Sequence, residues 1–405
     1  MNQEGKKKLY IDWMLIIPIV LLAVFGLVMV YSASFVQGYE DYQDISYFFQ
    51  QQLKWLVISV LLFTFFMFVP YRHYRKMSTV IVFGSIIILS LVVFTKLGYN
   101  VNGSTRWIVI AGNRIQPSEF VKLGSIIYLA YVYSRKQAYI NKFFSGVLPP
   151  LIVVIVFFAL IMKQPDLGTA TSIVMVAGLI AFCSGARMFH LISLGSIAVW
   201  ALYNYAQSET YRLNRLIGYQ NPFELADTSG YQLIQSYIAI AHGGLTGAGF
   251  GQSVQKLFYL PEAHTDFILA IVSEELGIIG IAFVFACITV IVFRGVMIGI
   301  RCKDSFGSLL ALGIVFQLCI QVIFNAGAVS GLLPITGIPF PFVSYGGSSL
   351  LVVFISMGIL ANISRRTERE RQERSEEEVV EETAAPSFKS VNSSLRAVKS
   401  IGNKQ

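Results

Sequence analysis

The chain has 405 residues, 55% of them hydrophobic and only 13% charged, where ordinary soluble domains carry about 25% charged residues. Long apolar runs alternate with short polar ones, which excludes a soluble globular enzyme and fits a polytopic membrane protein. In such a chain a net charge of +8 reflects loop bias and is no sign of nucleic-acid binding.

A membrane span needs about 20 apolar residues. Ten stretches qualify: 13–31, 53–69, 78–95, 117–134, 144–162, 168–184, 187–206, 266–293, 305–328 and 347–364. Residues 1–31 begin basic, but the apolar run has spanning length, so it reads as the first span and not as a cleaved signal. The expected fold class is an all-α polytopic membrane protein of about ten transmembrane helices, with a large extracellular loop between spans 7 and 8. With the N-terminus inside, the cytoplasmic pieces carry most of the Lys and Arg outside the tail, so the positive-inside rule puts both termini in the cytoplasm. Residues 1–364 then form the membrane domain. Residues 365–405, with basic and acidic residues nearly balanced and few apolar ones, read as a cytoplasmic tail, disordered or partly helical near its start. The cysteines (183, 287, 302 and 319) form no CxxC and read as small packing residues.

Four stretches on the expected outer side carry polar chemistry close to hydrocarbon. The first is N-G-S-T-R-W-I at 102–108, followed by I-Q-P-S-E-F-V-K-L at 115–123. Pro117 suits the first turn of a helix. Glu119 and Lys122, three residues apart, then share a face as an interior pair. Such a pair either fixes helix register or serves the site; Trp107 is either an interfacial anchor or part of the site. The second is K-Q-P-D-L-G-T at 163–169, where Asp166 could cap the next helix and Lys163 could hold an anion.

The third is the large loop. Residues 231–241 have helical spacing that suits a short interfacial helix. The Gly-rich 243–253 that follows permits close backbone approach. A phosphate cradle is one reading, although no Lys-Ser/Thr follows and no strand precedes. Arg212, Arg215 and Lys256 are either partners for a diphosphate or solvated charges. The fourth, G-L-L-P-I-T-G-I-P-F-P-F-V-S-Y-G-G-S-S at 331–349, is uncharged and too broken for a helix. Backbone of this kind persists at membrane depth only when buried in protein or lining a cavity. It is expected to fold over the site that Asp266 borders.

That site centres on K-L-F-Y-L-P-E-A-H-T-D-F-I-L-A-I-V-S-E-E-L-G at 256–277. Asp266 stands at a loop-to-helix junction, after Glu262 and His264. At about 100° per residue Glu274 and Glu275 cannot both share its face, and both read as interior structural contacts.

L-P-E-A-H-T-D-F-I, G-S-T-R-W-I, Q-P-S-E-F-V-K-L, K-Q-P-D-L-G-T and G-I-P-F-P-F-V-S-Y-G-G-S-S resemble the signature stretches of the SEDS family of FtsW, RodA and SpoVE. The resemblance covers residues 10–364. It implies a glycosyltransferase that polymerises lipid II into glycan strands on the outer face of the bacterial membrane, with Asp266 at the position of the essential Asp. The G-G-L-T-G-A-G-F-G-Q-S-V-Q-K-L-F-Y-L-P-E-A-H segment resembles the division and sporulation members. Thr336, where many division members have Lys, keeps an elongation role as the alternative.

The implied chemistry is one inverting displacement. A base takes the proton of the acceptor 4-hydroxyl, which suits Asp266. Cations or a metal balance the leaving diphosphate. No cofactor is required with certainty; a divalent cation is compatible. Residues named for substrate are Arg106, Trp107, Glu119, Lys122, Lys163, Asp166, Arg212, Arg215, Lys256, Glu262, His264, Ser344 and Tyr345. The chain has no domain able to cross-link peptides, so the resemblance also implies a class B penicillin-binding protein as partner, with other division proteins. The rivals are a lipid II flippase and a scaffold that only recruits a transpeptidase.

Overall fold

The computed structural model describes residues 10–101, 104–110, 112–207 and 218–401. Helices stand at all ten expected places: α1 (Trp13–Tyr42), α2 (Tyr47–Phe68), α3 (Arg72–Phe94), α4 (Pro117–Lys136), α5 (Leu148–Met162), α6 (Leu167–Cys183), α7 (Met188–Gln207), α9 (Ile268–Arg301), α10 (Ser305–Val329) and α11 (Gly347–Ile401). The helix α8 (Tyr231–Gly243) fills the place of the expected interfacial helix. Among the described residues seven helices are long and apolar enough to cross a membrane by length and composition, α5 counting with the turn before it as Phe143–Met162. Of the other three, α4 carries Glu119, Lys122, Arg135 and Lys136, α6 has 17 residues, and α7 has a shorter apolar stretch, Met188–Trp200.

Local chemistry sets several boundaries. Pro117 opens α4 at its first turn, where its missing N–H leaves no bond unmade. The Asp166 side chain caps α6 by accepting from Thr169 N at 3.1 Å. Several helices outrun the expected spans, because hydropathy sees only their apolar part. α1 continues to Tyr42. α11 continues through the charged segment to Ile401, where the sequence suggested disorder or a partial helix.

A small sheet, absent from the all-α expectation, sits between α3 and α4. Strands β1 (Gly98–Val101), β2 (Ser104–Ile110) and β3 (Asn113–Ile115) form an antiparallel meander. Tyr99 lies opposite Trp107 and Ile110 opposite Asn113. The β-branched run S-T-R-W-I-V-I favours this conformation, but its short strands are embedded in a Gly/Asn-rich loop and leave little periodic signal.

Burial orders the bundle. In the most apolar window of α10, 72% of residues are buried, and in that of α11 83%, against 17% for α2. α10 and α11 are therefore the interior helices. At the end of the bundle opposite Asp266, polar groups close the helix ends. Arg294 Nε donates to Asp12 Oδ1 and Oδ2 at 3.0 and 2.8 Å, and Ser364 Oγ donates to Asp12 Oδ2 at 2.6 Å. Asn362 accepts from Tyr71 N at 2.9 Å and donates to Met67 O at 2.8 Å, satisfying the α2–α3 turn.

α9 is broken. Gly277 has φ 62° and ψ −156° within it, a left-handed backbone that glycine tolerates. Before the break, residues 268–275 are all buried; just beyond it, Ile278 and Ile279 are exposed. The 24 residues of 278–301 rise about 36 Å, enough to cross a hydrocarbon core of about 30 Å. The segment before the break is thus a separate short helix packed inside protein.

The break strands backbone carbonyls, and the Gly-rich loop satisfies them. Ala248 N donates to Glu274 O at 2.9 Å, Gly249 N donates to Glu275 O at 3.0 Å, and Ile278 N donates to Gly244 O at 3.2 Å. A Cβ on Gly277 would lie 2.5 Å from both Leu245 O and Gly247 N. Gly243 and Gly247 thus pack directly on the interrupted helix of the same chain, which gives this loop a structural task in place of the phosphate cradle its glycines suggested.

Candidate active site

Asp266 lies in the turn that leads into α9, two residues before the helix begins; the N-cap position is Phe267. Its carbonyl accepts from Asn325 Nδ2 at 2.7 Å, and the same nitrogen donates to Ile338 O at 2.8 Å. Gly337, with φ 69°, lies beside the carboxylate. A Cβ there would stand 3.3 Å from Asp266 Oδ2. Asp266 is half-buried, in reach of solvent but enclosed by backbone.

The apolar stretch 331–349 does fold over this turn. Ser344 Oγ donates to Thr265 O at 2.6 Å and accepts from Phe340 N at 2.7 Å. Tyr345 N donates to His264 O at 2.9 Å. Gln52 Nε2 donates to Ser344 O at 3.3 Å, bringing in α2. His264 packs between Phe48 and Tyr345, with ring centroids 4.6 and 5.4 Å away. Burial pushes its pKa down to about 4, although Glu262 and Asp41 pull the other way. The imidazole is therefore neutral at physiological pH and acts as a wedge holding the turn. Glu262 is exposed in a left-handed backbone of φ 55°, and its Oε2 accepts from Thr265 Oγ1 at 2.7 Å.

A second carboxylate flanks the same segment. Asp166 caps α6, accepts from Gln116 Nε2 at 3.1 Å and stands 3.9 Å from Arg106 Nη1. Arg106 also donates from Nε to Gln164 O at 3.2 Å and from Nη2 to Pro165 O. A Cβ on Gly168 would meet Thr336 O at 2.7 Å. Residues 336–338 therefore run with the Asp166 turn on one side and Asp266 on the other. Lys163 is exposed, its Nζ 4.9 Å from the Phe94 ring. Trp107 is half-buried in β2.

Other named residues are occupied elsewhere. Lys256 Nζ pairs with Glu275 Oε1 at 2.6 Å, and its side chain is 1% exposed. It also donates to Ser32 Oγ at 3.1 Å. The suggestion that Lys256 meets a diphosphate is corrected accordingly: its charge is spent inside the protein. Glu274 accepts from Val254 N at 2.9 Å, from Gln255 N at 3.3 Å and from Ser253 Oγ, with His242 Nδ1 at 3.0 Å. Both glutamates are interior structural contacts. Glu119 and Lys122 form a buried pair at 2.8 Å within α4. Arg212 and Arg215 lie outside the described residues. Among the described residues no group of three or more His, Cys, Asp or Glu could hold a metal ion.

Sequence reasoning missed Asn325, Gly337 and Gln52. A signal for Asn325 exists: Gln317, Gln321 and Asn325 recur every four residues along an otherwise apolar helix. An amide stripe of that spacing inside a membrane bundle faces one interior direction.

The chain is 44% identical, over 87% of its length and 90% of the relative's, to a probable peptidoglycan glycosyltransferase FtsW of Bacillus subtilis (strain 168). It is 43% identical to the stage V sporulation protein E of the same organism, over 89% of this chain and 98% of that one. Its fold matches a chain from a peptidoglycan synthase complex, solved to show how polymerization and crosslinking are coordinated, with a TM-score of 0.74 at 23% identity; the match covers 89% of this chain and 99% of the other. It also matches the rod shape determining protein RodA of Thermus thermophilus, with a TM-score of 0.65 at 22% identity over 88% and 97% of the two chains. With the model of the cell cycle protein family of FtsW, RodA and SpoVE matched across residues 12–369, this multi-pass membrane protein belongs to that family.

Proposed function

We propose that the protein is a peptidoglycan glycosyltransferase that polymerises lipid II during cell division, with Asp266 as the general base. The observation that carries this reading is one half-buried carboxylate in a turn held by backbone on two sides, with glycine beside it. Partial desolvation favours a carboxylate's neutral form and so strengthens it as a base. In the reaction, Asp266 takes the proton of the acceptor 4-hydroxyl as that oxygen attacks the donor's anomeric carbon. The bond to the lipid diphosphate breaks with its electron pair, and the α-linked donor becomes a β-1,4 link. No covalent intermediate is needed.

The leaving diphosphate needs positive charge. Of the cations named from the sequence, Lys163 and Arg106 keep exposed area, whereas Lys122 and Lys256 are buried in pairs. That ranks Lys163 and Arg106 first among the described ones. The loop bias of Lys and Arg supports an outward-facing Asp266 end, on the side where lipid II presents its sugars. A class B penicillin-binding protein at the septum is the expected partner, in keeping with a structural neighbour that comes from a synthase complex.

The test is polymerisation of labelled lipid II by purified protein. Asp266→Asn keeps the side-chain volume and should abolish chain growth while the protein elutes and melts as wild type. An Asn variant that polymerises at near wild-type rate would remove Asp266 as the base.

A further inference from the structure

Asn325 is 1% exposed, sits in the interior helix α10 and cannot reach substrate. Its amide nitrogen nevertheless donates to two backbone carbonyls from different segments, Asp266 O at 2.7 Å and Ile338 O at 2.8 Å. The orientation of the amide is forced. Both neighbours are acceptors, so only the NH₂ can face them. Its Oδ1 is buried without a hydrogen-bond partner. The side chain is thus committed to one task, joining the turn before α9 to the 336–338 segment.

The joint lies where spacing matters. Gly337 is next to one of the two stapled residues and beside the carboxylate of the other, with space for a Cβ only 3.3 Å from Asp266 Oδ2. The other supports of 336–338 come from the opposite side, where Gly168 packs on Thr336 O.

We infer that Asn325 is a positioning residue of the reaction centre, setting the gap between the Asp266 carboxylate and the Gly337 backbone. The inference rests on Asp266 being the base. A misplacement of about 1 Å at such a carboxylate can cost about a hundredfold in rate, so the expected signature is in kcat and not in KM.

Two variants with the same side-chain branching, of which Asp also keeps the volume, separate positioning from mere packing. Asn325→Leu has no donor at any pH. Asn325→Asp has none while ionised but one O–H donor when protonated. In lipid II polymerisation by the purified full-length protein, Asn325→Leu at pH 7.5 and Asn325→Asp at pH 9.5 should each lose at least tenfold in kcat, with KM within threefold of wild type. Between pH 9.5 and 5.5 the ratio of Asn325→Asp to wild type should rise at least threefold, because burial against two carbonyl oxygens moves the titration of that carboxyl upward, while the ratio for Asn325→Leu stays flat. Amide hydrogen exchange, which needs no activity, should quicken at residues 264–268 and 336–340 in Asn325→Leu at pH 7.5 and not in α11.

If Asn325→Leu fails to fold, the Asn325→Asp pH series decides alone. The inference is overturned by a kcat within twofold of wild type, by a loss carried in KM, by a flat Asn325→Asp ratio, or by unchanged exchange in the two segments. An Asp266→Asn variant that polymerises normally overturns the functional reading instead, and is recognisable because it does so whatever Asn325 variants show.

Discussion

Two buried Lys–Glu pairs stand among the described residues, and they do different work. Glu119 and Lys122 lie three residues apart on α4, so their 2.8 Å contact joins nothing distant. Glu119 Oε2 has no hydrogen-bond partner, and Lys122 lines a cavity of about 20 Å³ with Gln317, Gln321 and Ser356. Lys256 and Glu275 come from different segments, and Ser32 of α1 donates to both Glu275 oxygens at 2.7 Å. The second pair fastens three parts of the chain; the first has unused hydrogen-bonding capacity beside a water-sized space. Two pairs of the same chemistry are told apart by what each side of the pair is attached to.

The sharpest test removes the lysines. Lys256→Met strands Glu275 in a closed interior, and breaking a buried pair in this way costs about 3–5 kcal/mol. Lys122→Met strands Glu119 next to the truncated side chain, which itself lines a water-sized space; a smaller loss, about 3 kcal/mol or less, is expected. Thermal unfolding in detergent measures both. Pairing each with Glu275→Gln or Glu119→Gln should recover stability relative to the lysine variant alone. Equal losses for the two lysines would erase the distinction drawn here, and a Glu119/Lys122 double variant as damaged as the worse single would point to a direct role for one of those residues.

His264 extends the comparison to a buried ionisable group with no counter-ion at hydrogen-bond distance. Its pKa falls from 6.5 to about 4 on folding. Between those values the unfolded chain binds a proton that the folded one refuses, so stability rises with pH across this window and is lost as pH drops from about 6.5 toward 4. The full effect is about 3 kcal/mol. His264→Gln should flatten that part of the pH–melting curve. A wild-type curve no steeper than the variant's would mean that the imidazole is not held neutral.

Gly277→Ala probes what lets the Lys256 pair close. The new methyl meets Leu245 O at 2.5 Å on a left-handed backbone, a strain of about 1–3 kcal/mol. Hydrogen exchange should quicken over 244–256, while the α4 pair remains as protected as before. Exchange spread evenly over the bundle would show that the break is not a local fastening.

The ten spans were legible because apolar length is a coarse property that survives any detail of packing. The Asp266 junction was legible for a related reason: polarity switches to hydrocarbon within a few residues there. The break in α9 was not, since Gly277 sits inside an apolar run and its φ leaves no trace in hydropathy. The glycines of 243–253 announced a close approach but not its target, because the target is 30 residues further along. Asn325 and Gln52 act across long sequence separations, where one chain without its fold offers no pairing information. Lys256 looked like a surface charge for the same reason.

The cluster of Ser32, Lys256 and Glu275 also has a history in time. Ser32 and Glu275 are separated by 243 residues of chain. At a synthesis rate of about 5–20 residues per second, Glu275 follows Ser32 out of the ribosome by roughly 10–50 s. Throughout that interval the upper part of α1 is already made while its partners are not. The end of the bundle that holds Asp266 is therefore assembled late, and a chain arrested before residue 275 carries the early spans without this fastening.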